Sequence, residues 1–293
     1  MTATQLAFVS AVAAEIDRLV IRGHELAHEY PDKPQALSEM TAFPHLLNTA
    51  AIVLLTQPLT RDEVKGIMPY TPGSLIDALI DNNIEEGVVT GDDGRIVLTD
   101  KGRVLADAVV GVQEGSVVRA WSAARDDVQA IQKVVRPVVE RAETLVPPRT
   151  PSNFALFAPH GSRPTIEGSV VRLMTALRYW RADAHLRAIE DAGLERSEAH
   201  ALNTLWDAHR GVERVGQGFP KPGRSAVASL EQRGLAADGT ITADGTHVRE
   251  RIEGETDQLT APLYDEVDEP SSEELLRALR ALPGEAAPGV PGT

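Results

Sequence analysis

The sequence contains no cysteine among its 293 residues. A disulfide framework, a thiolate metal site and a cysteine nucleophile are therefore excluded. Aromatic residues make up only 4% of the chain, and alanine, valine and leucine supply most of its 42% hydrophobic content. This composition favours a mainly helical protein with enough apolar side chains for two ordinary domains.

Long apolar runs and positive charge are also scarce. No stretch is apolar enough to span a bilayer and no basic and apolar leader begins the chain, so we expect a cytoplasmic protein. The 29 basic residues are outnumbered by 43 acidic ones, which gives a net charge of -14 at pH 7. Phosphate contacts need positive charge, so DNA binding would require a local basic surface on an acidic body.

One pattern of residues occurs twice in the chain. In each copy a helix end is followed by an Asp-Gly pair, then by a threonine and a glycine, and in the first copy the pair lies between β-branched runs. Asp-Gly in that setting predicts a β-hairpin, and helix, hairpin, helix is the order that ends a winged helix-turn-helix. The shared residues are Asp93, Gly94, Thr99 and Gly102 in the first copy and Asp238, Gly239, Thr242 and Gly245 in the second.

The two copies can be aligned by their apolar residues. Placing Leu79 on Leu230 sets Ile76 on Val227. The alternative is two unrelated hairpins, but the common order of hairpin, threonine and glycine favours a repeat. We therefore predict a mainly α fold with small β-wings, built from two tandem winged helix-turn-helix repeats that each have flanking long helices.

Changes of composition along the chain indicate the domain boundaries. Prolines, glycines and serines cluster between the two copies, and the last residues are mostly proline, glycine and alanine. We predict an N-terminal winged-helix repeat with a long seam helix at 1–146, a Pro-rich linker at 147–164, a C-terminal winged-helix repeat at 165–265, a short terminal helix at 266–282 and a disordered tail at 283–293.

The helix that follows Gly102 has apolar residues at alternating spacings of four and three, which is the pattern of a helix–helix seam. Two interpretations stay open. The helix packs on its own domain, or it joins the repeats or two chains, although Pro137 would kink a free coiled coil. The residues through which a homodimer is predicted are Val117, Trp121, Val128, Ile131 and Val135.

The two copies differ in the charge of the helix that would enter a DNA groove. The first copy presents Asp77 and Asp81 on its outer side, and carboxylates there would face phosphates. The second copy presents hydroxyl, amide and basic side chains, so we expect DNA binding to pass through it. The predicted DNA-binding residues are Arg210, Arg214, Lys221, Arg224, Ser225, Ser229, Gln232 and Arg233.

A different chemistry is suggested by the first helix, where His24, Glu25 and His28 form the pattern H-E-x-x-H. Two histidines four residues apart share a helix face and can bind zinc, with the glutamate as general base. Here Glu29 follows, no strand precedes the helix, and the nearest candidate for a third ligand is His45. We therefore predict surface histidines, with no catalytic residue, metal or cofactor.

The C-terminal third of the chain resembles an actinobacterial family of MarR-like helix-turn-helix proteins. The first half shares only the general order of helix, helix-turn-helix, wing and long helix. The residues that carry the resemblance are Arg233-Gly234-Leu235, Asp238-Gly239, Thr242, Gly245 and Glu255-Thr256-Asp257-Gln258-Leu259.

This resemblance implies a dimeric repressor that releases DNA when a small molecule binds. The acidic first copy departs from the implied pattern of two equivalent DNA-binding surfaces. We therefore predict a MarR-like transcriptional regulator that binds double-stranded DNA and responds to a small-molecule effector. The alternatives are a winged-helix scaffold that binds a protein or small molecule without DNA and, less favoured, a metal-dependent hydrolase.

Overall fold

A computed structural model describes residues 2–29, 45–69, 71–212 and 221–283, most of which are helical. The helices are α1 (Ala3–Glu29), α2 (His45–Leu54), α3 (Arg61–Ile67), α4 (Gly73–Glu85), α5 (Asp100–Trp121), α6 (Arg125–Thr144), α7 (Asn153–Phe157), α8 (Ile166–Asp191), α9 (Arg196–His209), α10 (Arg224–Gln232), α11 (Ala243–Thr260) and α12 (Glu269–Ala281). The strands are β1 (Leu59–Thr60), β2 (Val89–Asp92), β3 (Arg95–Leu98), β4 (Ala236–Ala237) and β5 (Thr240–Ile241).

The strands form two small antiparallel sheets. The first has the order β1-β3-β2, with Leu59 paired to Ile96 and Val89 paired to Leu98. The second consists of β4 and β5 alone. Each hairpin lies between two helices, so a mainly α fold with small β-wings is confirmed at this level.

A large core lies between the long helices. Helix α8 packs against α1, α5, α6, α7 and α11, and α12 packs against α1 and α6. Trp121 and Trp180 are among the largest fully buried side chains of this core. A second, smaller group of buried residues lies between α9, α10, α11 and the end of α8. The C-terminal domain boundary at 165 stays a prediction, and the first half of α8 packs into the large core.

The seam predicted after Gly102 is formed within one chain. A short 3-10 helix, Ser122–Ala124, divides the predicted long helix into α5 and α6, and Pro137 lies inside α6. The predicted use of the seam residues as a homodimer interface is corrected here, because their side chains are fully buried against α8 and other helices of their own chain. The wholly buried seam residues are Val117, Trp121, Val128, Ile131 and Val135.

The predicted linker packs onto the core. Within residues 147–164, α7 is followed by a 3-10 helix, Ala158–His160. Phe154 contacts Trp180 edge to face with ring centroids 5.2 Å apart, and Phe157 stacks on Tyr179 at 4.0 Å. Beyond Pro283, the predicted disordered tail lies outside the described residues.

Two segments of the chain have the same order of elements. The first motif is residues 60–102, which contain α3, α4 and the β2–β3 hairpin. The second motif is residues 195–245, which contain α9, α10 and the β4–β5 hairpin. Each motif is followed by a long helix that packs on the large core, α5 in the first case and α11 in the second.

Candidate nucleic-acid interface

The hairpin turns of the two motifs have the same backbone conformation. Asp93 and Gly94 have φ angles of 46° and 77°, and Asp238 and Gly239 have φ angles of 51° and 71°. Two successive positive φ angles produce the turn whose twist fits a two-residue hairpin, and Asp-Gly tolerates them best. The two Asp-Gly turns predicted from the sequence are therefore confirmed.

A threonine closes each motif in the same way. The hydroxyl groups of Thr99 and Thr242 donate to backbone carbonyls that precede their hairpins, at 2.7 and 2.8 Å. The same oxygens accept from the amides of Gly102 and Gly245, at 3.0 and 3.1 Å. Each threonine thus caps the helix that follows the hairpin and connects the first turn of that helix to the backbone just before the hairpin.

The glycine in each motif is required by a close backbone approach. A Cβ on Gly102 would lie 1.9 Å from the carbonyl oxygen of Val88, and a Cβ on Gly245 would lie 2.1 Å from that of Leu235. No side chain can be accommodated at these separations without movement of the backbone. The repeated threonine and glycine are therefore structural signals of the motif.

Backbone hydrogen bonds correct the alignment of the two helices that precede the wings. The amide of Val88 donates to the carbonyl of Asn83, and that of Leu235 donates to the carbonyl of Leu230, both at 2.9 Å. Leu230 is therefore equivalent to Asn83 and not to Leu79. The sequence alignment was wrong by one helical turn, because a four-residue shift leaves apolar residues on the same helix face.

The corrected alignment sharpens the difference in charge between the motifs. Asp77 of the first motif is equivalent to Arg224 of the second, and Asp81 is equivalent to Ala228. A carboxylate thus stands in the first motif where a guanidinium stands in the second.

Most of the predicted DNA-binding residues share one solvent-exposed region of the second motif. The guanidinium of Arg210 lies over the ring of Trp206, 4.3 Å from its centroid, at the end of α9. Arg214 lies outside the described residues. The predicted residues with exposed side chains are Arg210, Lys221, Arg224, Ser225, Gln232 and Arg233.

Two predicted residues, Ser229 and Arg233, also have a structural role. The hydroxyl of Ser229 donates to Oε1 of Glu198 at 2.6 Å, and Nη1 of Arg233 donates to Oε2 at 3.0 Å and to the carbonyl of Gly193 at 2.9 Å. Burial raises the pKa of Glu198, but these partners and the amide of Glu195 outweigh it and hold that pKa below its usual value. Ser229 and Arg233 therefore join α10 to α9, and a role for them in DNA binding stays a prediction.

A basic residue that sequence reasoning missed lies at the start of α9. Arg196 is half-buried and makes no ion pair with the residues that the structure describes. It is equivalent to Arg61, because each is the first residue of its helix and follows the N-cap of a capping box. The box in α9 joins Glu195 and Glu198. The repeated capping box is the signal that could have identified Arg196.

Two basic residues of the first motif, Arg61 and Lys65, are already paired with carboxylates. Arg61 contacts Oδ1 of Asp77 at 3.3 Å and Oδ1 of Asp81 at 2.5 Å, and Nζ of Lys65 contacts Oδ2 of Asp77 at 2.9 Å. These ion pairs join α3 to α4 across the face that corresponds to the exposed side of the second motif. The hydrogen bond from Lys65 is the largest cause that lowers the pKa of Asp77, so this carboxylate stays ionised at neutral pH.

A network of polar side chains connects the second motif to the large core. Nε of Arg249 donates to Oδ1 of Asn203 on α9 at 3.0 Å, and Nη1 contacts Glu253 at 2.6 Å. Glu253 also contacts Arg181 on α8 at 2.9 Å and Nδ1 of His185 at 3.4 Å. Burial lowers the pKa of His185 to about 4, although Glu253 opposes the shift. The imidazole is therefore neutral at pH 7.

Most of the ligands considered for a metal site on the first helix lie outside the described side chains. His24 is exposed on α1, and the side chains of His28 and His45 lie outside the described residues. Among the side chains that are described, no three His, Asp or Glu residues are grouped closely enough to hold a metal ion. In the same parts of the chain, no helix has the length and apolar character needed to cross a membrane.

Comparison with known proteins identifies the family. A model described as "Helix-turn-helix family" matches residues 106–288, which include the whole second motif and begin after the first. Neither a comparison with curated proteins nor one with solved structures gives a match. Because the matched residues make up more than half of the chain, this protein belongs to that helix-turn-helix family.

Proposed function

We propose that this helix-turn-helix protein is a transcriptional regulator that binds double-stranded DNA through its second motif. The observation that carries the proposal is the set of basic side chains beside the exposed face of α10. Lys221 precedes α10 and Arg224 begins it. Arg196 is equivalent to Arg61, which contacts α4 in the first motif. Each of the three is free of ion pairs with described residues. Unpaired cations of this kind release counterions when they meet DNA phosphates.

The position of α10 supports a role in base recognition. In a helix-turn-helix, the second helix enters the major groove and the first crosses the backbone. Here α10 is the second helix, and its exposed Arg224, Ser225 and Gln232 are side chains that hydrogen-bond to base edges or phosphates. Arg196 on α9 would then contact the backbone.

The finer features of the proposal follow the resemblance noted in the sequence. We propose a MarR-like arrangement in which one chain supplies two winged motifs, so that a second chain is not needed to complete the pair. The equivalent turns, threonine caps and glycine contacts of the two motifs support this arrangement. Release of DNA by a small molecule is implied by the resemblance alone, and a metabolite fraction that dissociates the complex would support it.

The test is a DNA-binding titration against the region upstream of the protein's own gene, at two or more salt concentrations. Wild type should bind in a salt-dependent way. Lys221→Ala with Arg224→Ala should lower affinity by roughly 1–3 kcal/mol per contact and reduce the salt slope by about one unit for each phosphate that is no longer bound. The matched control is Lys133→Ala with Arg277→Ala, which removes the same charge from α6 and α12.

The outcomes separate this proposal from a second candidate function. If the second-motif variant binds DNA like wild type, the assignment to this motif is wrong. If wild type binds no DNA at any salt concentration, a scaffold that binds a protein or small molecule replaces the regulator. The self-paired acidic face of the first motif is the observation that favours the scaffold.

A further inference from the structure

We propose that the first motif contains a second DNA-backbone site, formed by Arg61 and Lys65, which the chain's own Asp77 and Asp81 hold closed. The carboxylates take the positions that phosphate oxygens would occupy on these two cations. The proposal goes beyond the function assigned to the second motif, because it concerns a different surface and is tested with the second motif disabled.

The two cations of the proposed site lie on one helix. Arg61 and Lys65 are four residues apart on α3 and therefore lie on the same helix face. Helix α3 is the first helix of its motif, the one that crosses the phosphate backbone in a DNA complex. Its sequence neighbour α4 occupies the place of the groove-entering helix and supplies both carboxylates.

Arginine and lysine bind carboxylates and phosphates through the same N–H donors. Arg61 directs one nitrogen to each carboxylate, at 3.3 and 2.5 Å, while Lys65 lies 2.9 Å from the remaining oxygen of Asp77. DNA approaching this face would have to displace these ion pairs and would meet two negative charges.

In the second motif, Arg196 takes the place of Arg61, while Arg224 and Ala228 replace the two aspartates. The motif therefore forms without carboxylates at these positions, and its fold does not require them.

The side chains of the ion pairs in the first motif are partly exposed to solvent. The side chains of Arg61, Asp77 and Asp81 are 38%, 36% and 57% exposed. Ion pairs this close to solvent contribute little to stability. Neutralising the aspartates should consequently leave the fold intact and free both cations for phosphate.

The experiment uses the full chain with the second motif disabled by Lys221→Ala and Arg224→Ala. Into this background we introduce Asp77→Asn and Asp81→Asn, and measure binding to a short duplex of random sequence over a range of salt concentrations. This opened variant should bind the duplex more tightly than its background does, with a slope of log affinity against log salt about two units steeper. Adding Arg61→Ala and Lys65→Ala should abolish the gain.

The matched control is Glu140→Gln with Glu143→Gln, which removes two exposed negative charges from α6. The proposal is overturned if this control gains as much binding, or if the opened variant melts like its background but binds no better. If the asparagine pair fails to fold, Asp77→Arg with Asp81→Ala reproduces the second motif's residues and gives the same test. This test compares variants whose second motif is disabled, whereas the regulator proposal is tested on wild type. A negative result here therefore leaves the regulator proposal standing.

Discussion

The two motifs have the same backbone plan but different surroundings and charge. Ile76 and Ile80 of the first motif belong to the large core, whereas Leu230 and Ile241 of the second belong to a separate small core. The first motif contains nine acidic and four basic residues, and the second contains seven and six. The comparison teaches that turn and cap residues preserve the motif, while the residues on its outer face are free to diverge and change what it binds.

The largest expected loss of stability comes from a substitution in the large core. Ile131→Glu places an unpaired charge at a fully buried position, so we expect a loss of about 3–5 kcal/mol of unfolding free energy with no change in the oligomeric mass of the folded fraction. A thermal melt combined with light scattering measures both quantities. A folded variant with half the mass of wild type would show that Ile131 lies in a homodimer interface after all. An unchanged melting point would show that Ile131 is exposed. Hydrogen exchange should show the first motif losing protection with this core before the second motif does.

The next effect tests whether the two motifs depend equally on their glycines. Gly102→Ala and Gly245→Ala should each cost about 2–3 kcal/mol, because both force Cβ into a backbone carbonyl. The controls are Gly111→Ala and Gly254→Ala, nine residues further along the same helices, where nothing lies within 4 Å of the new Cβ. These should stabilise the protein by up to about 1 kcal/mol, since alanine is the better helix former. Denaturant melts measure these changes. If only one of Gly102→Ala and Gly245→Ala lowers the free energy of unfolding, the two motifs are not structurally equivalent.

The polar network that connects the second motif to the large core contains His185 and predicts that the stability of the protein depends on pH. Burial holds the pKa of His185 at about 4, below the 6.5 of the unfolded chain, so the unfolded state binds the proton more tightly. The contribution of His185 to the free energy of unfolding is therefore fully present above pH 6.5 and is lost as the pH falls towards 4. The loss between pH 7 and pH 5 should be about 2 kcal/mol.

Melting curves of His185→Gln over this pH range provide the measurement. The variant should lose less stability than wild type between pH 7 and pH 5. His247→Gln is the control, because His247 is exposed on α11. Equal acid sensitivity of wild type and His185→Gln would show that another group is responsible.

The sequence predicted the local features of both motifs and missed those that depend on distant residues. Asp-Gly turns and capping threonines act over three or four residues, so their patterns were sufficient. The seam spacing is the same for a helix that packs within its chain and one that packs on a second chain, so burial of Ile131 could not be assigned in advance. Ser229 was placed on the DNA surface because its partner, Glu198, is 31 residues away in sequence and only 2.6 Å away in the structure.

The smallest effect compares the two equivalent arginines directly. Arg196→Ala should weaken DNA binding by about 1 kcal/mol at any sequence and reduce the salt slope by about one unit, because the variant binds one phosphate fewer. Arg61→Ala should leave binding to DNA unchanged, because Asp77 and Asp81 already occupy this guanidinium. Arg196→Lys should retain most of the affinity, since a lysine also binds phosphate as a point charge. Equal losses from Arg61→Ala and Arg196→Ala would mean that both motifs contact DNA in the native protein, and the charge difference between them would then not determine which one binds.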